Sequence, residues 1–228
     1  DYTDKQVNTQ VLVNGVSSPR VENAAGAEVK GMEIDLNWFP SALEGFNIRL
    51  AYTYQDAKYT DYTEFSQAPP RAAMAGSCGV FDNDPGPDEN FGCNLDLSGN
   101  ALERQAKNAF SGNFGYVRPL PGSTTEWFLE GDAVYSGKRY LDQDNFMYFD
   151  AYWLFNFRTG MQTDRWDVTV FLDNAFDDDT IRTGGSGPDF GLQTPRLGFT
   201  AGFGTNGFFG IFPDPRTVGV RTNFRFGD

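Results

Sequence analysis

Histidine does not occur anywhere in the 228 residues, which removes the commonest general base and the commonest metal ligand. Cations are scarce: 18 Lys and Arg stand against 31 Asp and Glu, a formal net charge of -13. Phosphate backbones are bound by clustered positive charge, so a nucleic-acid partner is excluded. No apolar run approaches the roughly 18 residues that a membrane-spanning helix requires. Cysteine is limited to Cys78 and Cys93. The two bracket a Gly-, Pro- and Asp-rich segment too polar for a core, which reads as a disulfide-closed loop and hence an oxidising compartment. A secretory leader is missing too: Asp1-Tyr2-Thr3-Asp4-Lys5 reads as the interior of a longer chain, its upstream part removed by processing or fragmentation.

Glycine and aromatic residues are plentiful instead, with 26 Gly, 22 Phe and 10 Tyr. The mean hydropathy of -0.46 suits a soluble protein. It equally suits a membrane barrel, which carries its apolar residues at every second position and so keeps a low average. The period decides. Met32-Glu33-Ile34-Asp35-Leu36-Asn37-Trp38 alternates without a break, and so gives one apolar and one polar face. The same period returns at 46–54, 166–172 and 218–226. Weaker versions occupy 106–118, 126–137 and 148–161, with Leu129, Ala133 and Tyr135 opposite Glu130 and Asp132, and Trp153, Phe155 and Phe157 opposite Asn156 and Arg158. Residues 2–13 supply an eighth strand.

Strands of a soluble sandwich alternate as well, but they are usually five or six residues long, whereas crossing a tilted barrel wall takes about 9 to 11. Several of these segments reach that length. Connections alternate between short (40–45, 119–125, 162–165) and long (14–27, 59–103, 138–147, 174–216), as the two ends of an outer-membrane barrel require. Aromatics gather at strand ends, at Trp38-Phe39, Trp127-Phe128, Tyr152-Trp153 and Trp166, where interfacial belts place them. The sequence therefore predicts an all-β, antiparallel transmembrane barrel portion of about eight strands. The acidic runs 82–89 and 177–179 read as solvated loops, with divalent-cation binding as the alternative.

No residue set supports an enzyme. Serine and cysteine lack a histidine partner, and the scattered carboxylates show no spacing for acid and base work. Gly184-Gly185-Ser186-Gly187 is followed by neither a lysine nor a helical pattern, and reads as a flexible loop rather than a phosphate cradle. Catalytic residues, cofactors and metal ligands are all expected to be none.

The stretch Asn23-Ala24-Ala25-Gly26-Ala27-Glu28-Val29-Lys30-Gly31-Met32-Glu33 resembles the barrels of TonB-dependent receptors, in which a loop Asn and Gly precede a strand opening with Gly-hydrophobic-Glu. Tyr52-Thr53-Tyr54-Gln55-Asp56-Ala57-Lys58-Tyr59 looks like the end of the next strand. Leu97-Ser98-Gly99-Asn100-Ala101-Leu102 followed by Ala106-Lys107-Asn108 looks like the segment before the one after, with Ala106 in place of the usual Pro. Downstream, Val168 to Asp177 resembles the penultimate strand running into an Asn-hydrophobic-Phe-Asp corner. Pro215-Arg216-Thr217-Val218-Gly219-Val220 resembles the start of the closing strand, which would end at the aromatic Phe226. The resemblance covers nearly the whole chain.

It implies the last strands of a barrel of about 22 in the bacterial outer membrane. The plug domain, the TonB box and the remaining strands would lie outside these residues, in a longer or split receptor. Implied partners are outer-membrane lipid, the missing strands and plug, the TonB complex acting through that plug, and a small-molecule or oligosaccharide ligand of the siderophore, cobalamin or carbohydrate class. On this reading 59–103 and 174–216 are extracellular loops, whose Tyr59, Tyr62, Phe65, Phe208 and Phe209 either stack on the ligand or pack the loops on one another. Glu130, Asp132, Arg158, Arg221 and Arg225 face the lumen or meet the plug. A closed passive barrel or porin, and a secreted β-sandwich adhesin, are the rival expectations.

Overall fold

The structure, a computed structural model, describes residues 2–13, 16–66, 93–189 and 205–226. Eight strands form one antiparallel sheet: β1 (Tyr2–Val13), β2 (Val16–Trp38), β3 (Phe46–Asp61), β6 (Asn108–Pro119), β7 (Glu126–Ser136), β10 (Tyr152–Gln162), β11 (Trp166–Asp173) and β14 (Thr217–Phe224). Three two-stranded sheets come from the residues between them: β4 (Thr63–Ser66) with β5 (Cys93–Asp96), β8 (Arg139–Tyr140) with β9 (Tyr148–Phe149), and β12 (Thr183–Asp189) with β13 (Thr205–Ile211). Each long strand pairs with its neighbours in chain order, so the sheet is a meander. Among the described residues β1 and β14 are not paired with each other, and the eight strands do not close a small barrel of their own. No helix of the described residues is long and apolar enough to cross a membrane, which says nothing of crossing by strands.

Register carries the two faces across seven strands. The row Leu36, Leu50, Gly112, Ala133, Phe155 runs through β2, β3, β6, β7 and β10. The row Tyr116, Leu129, Thr159, Val170, Val220 runs on to β14. Met32, Ile34, Trp38, Trp153, Met161, Val218 and Phe224 stand on the same face, and all are exposed large hydrophobics. A water-soluble sheet would bury such a face. The opposite face carries Glu33, Asp35, Asn113, Glu130, Asp132, Asn156, Arg158, Thr169, Arg221 and Asn223 on the intervening positions. Among the described residues no second sheet packs on either face, as a sandwich would demand.

Short turns join the strands at one end. Leu43 N–H donates to the Pro40 carbonyl at 3.1 Å and Phe46 N–H to Leu43 at 3.0 Å. Gly45 must be glycine: its φ is +83°, and an added β-carbon would stand 1.9 Å from the Val117 carbonyl oxygen. The 163–165 turn is held by Thr163, whose Oγ1 accepts from Arg165 N–H at 3.2 Å and Trp166 N–H at 3.1 Å.

At the other end the structure departs from the sequence expectations for the connections, and residues 184–187, expected as a flexible loop, instead lie in β12, paired with β13. Residues 16–27, expected within a long connection, continue β2, and Val13↔Val16 closes a tight hairpin. Alternation reports a face in contact with lipid, and a strand projecting beyond the membrane needs only its backbone ladder. The sequence pair Asn14-Gly15 is the short-range signal that alternation passed over. β3 likewise runs to Asp61, inside the expected 59–103 loop. A small core sits at this end, built from Ala27, Ala57, Tyr59, Tyr62, Leu97 and Leu102.

Candidate functional site

The polar face forms a wall centred on Arg158. Its Nη1 donates to Asp132 Oδ2 on β7 at 2.9 Å, and its Nη2 to Asp173 Oδ1 on β11 at 3.4 Å. All three side chains are about one-third to two-fifths exposed. One cation bridging two carboxylates ties three strands on the wet side. Glu130 lies directly across from Arg158 in the register. Glu130, Arg158, Asp173, Arg221, Phe128 and Phe171 all line a concavity of about 250 Å3. The Arg221 guanidinium lies 5.7 Å from the centre of the Phe171 ring.

Glycines open this wall to its rings. An added β-carbon at Gly219 would stand 2.4 Å from Phe171 Cζ, and one at Gly160 would stand 2.9 Å from Phe128 Cζ. Each aromatic thus lies over a cross-strand glycine, which covers the gap that the missing side chain leaves.

Arg225 takes a different place from the other four charged candidates. Its Nη1 donates at 3.2 Å to the carbonyls of Thr163 and Asp164, and its Nη2 to Asp167 Oδ1 at 3.5 Å. It therefore fastens the end of the last strand to the 163–165 turn, next to Asn223, which donates to Asp167 Oδ2 at 2.7 Å.

The five aromatic candidates also separate. Tyr59 and Tyr62 are each only 1% exposed, with ring centres 4.9 Å apart, and Tyr59 Oη bonds Glu103 Oε2 at 2.5 Å. Of the two roles open to these rings, packing the loop base is the one their burial serves. Phe65 pairs with Asn94 through its backbone, and its side chain lies outside the described residues. Phe208 and Phe209 are 42% and 60% exposed on β13. Phe208 lies 5.8 Å from Phe149, and an added β-carbon at Gly185 would meet the Phe209 ring at 2.7 Å. Cys78 and the acidic run 82–89 lie outside the described residues, as does the side chain of Cys93, and with them the expected disulfide.

Sequence reasoning missed a second cluster at the long-connection end of the polar face. Arg182 and Arg139 lie 4.7 and 5.8 Å from the Tyr152 ring centre. Arg139 donates to Ser136 Oγ at 2.9 Å and to the Arg182 carbonyl. Alternation carried one step past Leu154 and Val134 places Tyr152 and Ser136 on the polar face, and was the available signal. The loops beside them are tied down in turn. Asn145 accepts from Ala101 N–H at 2.8 Å and donates to the Ala101 carbonyl at 2.9 Å. Buried Asn174 donates to the carbonyls of Asp178 at 3.0 Å and Asp214 at 3.1 Å. Within the acidic run 177–179, Asp177 accepts from Arg216 N–H at 2.8 Å, and Asp178 pairs with Arg182 at 3.2 Å.

In the β4–β5 region the Ser98 hydroxyl, and then the Ser98 N–H at 2.9 Å, hold the Asp96 carboxyl below the usual carboxylate range. Taken together, the wall presents fixed donors and acceptors in rows. Such a surface wets a channel or meets a polar protein surface.

A family model described as TonB dependent receptor-like, beta-barrel matches residues 1–175. Among solved structures, the chain is similar to the ferric yersiniabactin uptake receptor FyuA from Yersinia pestis, with 17% identity, a TM-score of 0.59, and coverage of 91% of this chain and 25% of that one. It is also similar to the siderophore receptor PiuA from Acinetobacter baumannii, with 17% identity, a TM-score of 0.60, and coverage of 96% and 24%. The chain thus spans about a quarter of the length of either structure. No curated protein sequence matches it.

Proposed function

We infer the function from one premise: the chain belongs to the TonB-dependent receptor β-barrel family. It supplies part of the wall of an active importer in the bacterial outer membrane, with its short turns toward the periplasm and its long connections toward the exterior. No reaction is catalysed. The chain works jointly with further barrel strands and a plug in the lumen, and energy arrives through TonB acting on that plug. Glu130, Asp132, Arg158 and Arg221 face the lumen and the plug, and Phe208 and Phe209 offer stacking surfaces to the ligand. A siderophore-class cargo is the first to test, because one structural neighbour is named a ferric yersiniabactin uptake receptor and the other a siderophore receptor. Cobalamin and oligosaccharides are the competing cargoes.

The observation that carries this reading is the eight-strand meander with an apolar face, a polar face, and long connections confined to one end. The test is accumulation of labelled ferric siderophores, cobalamin and oligosaccharides by cells that hold the intact receptor. Uptake of one of them that needs both the receptor and the proton-motive force supports the proposal. Uptake that is indifferent to energy supports a passive channel instead.

A further inference from the structure

On β2 and β3 the outward face changes character within one register step. Met32↔Tyr54 is its last apolar and aromatic pair, and the next two outward pairs are Lys30↔Asp56 and Glu28↔Lys58. Lys107, just before β6, brings its Nζ 3.2 Å from Asp56 Oδ1 and 5.5 Å from the centre of the Tyr54 ring. Lys58 Nζ lies 2.8 Å from Asp56 Oδ2, and Lys30 Nζ 2.6 Å from Glu28 Oε1. Three of the five lysines of a chain with net charge -13 therefore stand around one register position: Lys58 and Lys107 both pair with Asp56, and Lys30 lies across from Asp56 on β2.

Three ammonium groups against two carboxylates leave an excess of one positive charge. The cations are also the outer members of the cluster: Lys30, Lys58 and Lys107 are 72%, 49% and 55% exposed, against 37% for Glu28 and 33% for Asp56. Exposed ion pairs of this kind are weak. A phosphate, with several acceptor oxygens and up to two charges, competes well for ammonium groups that share one carboxylate. The Lys107 ammonium lies over the Tyr54 ring at the top of the apolar belt, the position from which a lysine reaches the headgroup layer.

We propose that Lys30, Lys58 and Lys107 bind the phosphate of a lipid headgroup in the leaflet at the long-connection end of the barrel. A lipid, rather than a soluble anion, is the ligand because the cluster faces outward directly above Met32 and Tyr54. A molecule anchored in the adjoining hydrocarbon holds its phosphate at this height. The site concerns the outer surface of the barrel and stands apart from the choice of cargo.

The test uses the intact receptor in neutral detergent, with lipid binding read by native mass spectrometry. The probes are a short-chain phosphatidate, the matching diacylglycerol without phosphate, and inorganic phosphate at millimolar concentration. The wild type should prefer phosphatidate by about tenfold, and inorganic phosphate should not displace it. The K30Q/K58Q/K107Q variant should lose that preference, and the triple arginine variant should keep it. D56N, which removes a competing carboxylate, should strengthen it. Heat-modifiable electrophoretic mobility checks that each variant is folded, and the arginine and D56N variants carry the test if the glutamine variant does not fold. An unchanged preference in the glutamine variant overturns the proposal. So does displacement by inorganic phosphate, or a D56N variant weakened as much as the lysine variants, which would leave only an ion-pair ladder between strands.

Discussion

Arg158 on β10 reaches back to Asp132 on β7 at 2.9 Å while its second terminal nitrogen reaches forward to Asp173 on β11 at 3.4 Å. Replacing Arg158 with Met leaves two carboxylates on the wall without this partner. Because all three side chains are partly exposed, solvent takes over much of the interaction, and the expected loss is only about 1 kcal/mol. A small fall in the heat-modifiability midpoint of the intact receptor checks this, and a fall as large as that of a core truncation would contradict it.

The glycines of the polar face should differ in a stated order. At Gly219 an added methyl group meets the far end of the Phe171 ring, which can swing, so Gly219→Ala should cost less than about 1 kcal/mol. At Gly160 it meets the Val168 carbonyl oxygen at 2.1 Å, which belongs to the ladder itself, so Gly160→Ala should cost about 2 to 3 kcal/mol. Parallel denaturant unfolding of the two variants in detergent reads the order.

The aromatic loop residues should separate by function. Tyr59→Ala opens the small core beneath the loops and should destabilise it by about 3 to 5 kcal/mol, seen as faster amide exchange at residues 97–102. Phe208→Ala and Phe209→Ala remove exposed rings. They should leave exchange unchanged while weakening cargo binding several-fold, the loss expected for exposed stacking contacts.

Asp96 gives the β4–β5 region a pH dependence of known sign. Its carboxyl is held low by Ser98, so its stabilising contribution is fully present above the ordinary carboxylate value. It is lost as the pH falls through the lowered folded value. Amide exchange at Ser98 should rise on acidification across that window, and Ser98→Ala should move the rise to higher pH.

The strands that touch lipid were legible because lipid imposes a period. Met32 to Trp38 alternates without interruption, and Trp166 to Leu172 does so except at Phe171, whose ring covers Gly219 on the polar face. Outside the membrane that constraint lapses. Residues 16–27 form strand although their sequence does not alternate, and only the Asn14-Gly15 pair in the sequence signalled the reversal of the chain. The polar wall was readable position by position, as Glu130 and Arg158 show, but its partnerships were not. Whether Arg225 faces the lumen or fastens a turn depends on the carbonyls of Thr163 and Asp164, and no sequence period encodes a bond from side chain to backbone. Of the Arg139, Arg182 and Tyr152 cluster, alternation could place only Tyr152 on β10, because the connections bring the two arginines to its ring.

The central claim is that the sheet has one face in lipid and one in water. Single spin labels placed in turn at positions 153 to 159, 161 and 162 of the intact receptor, with collision accessibility measured to oxygen and to a water-soluble nickel chelate, test it most directly. A two-residue period is expected: labels at 153, 155, 157, 159 and 161 meet oxygen, and those at 154, 156, 158 and 162 meet the nickel chelate. Uniform nickel accessibility along β10, or a period in the opposite phase, would contradict it.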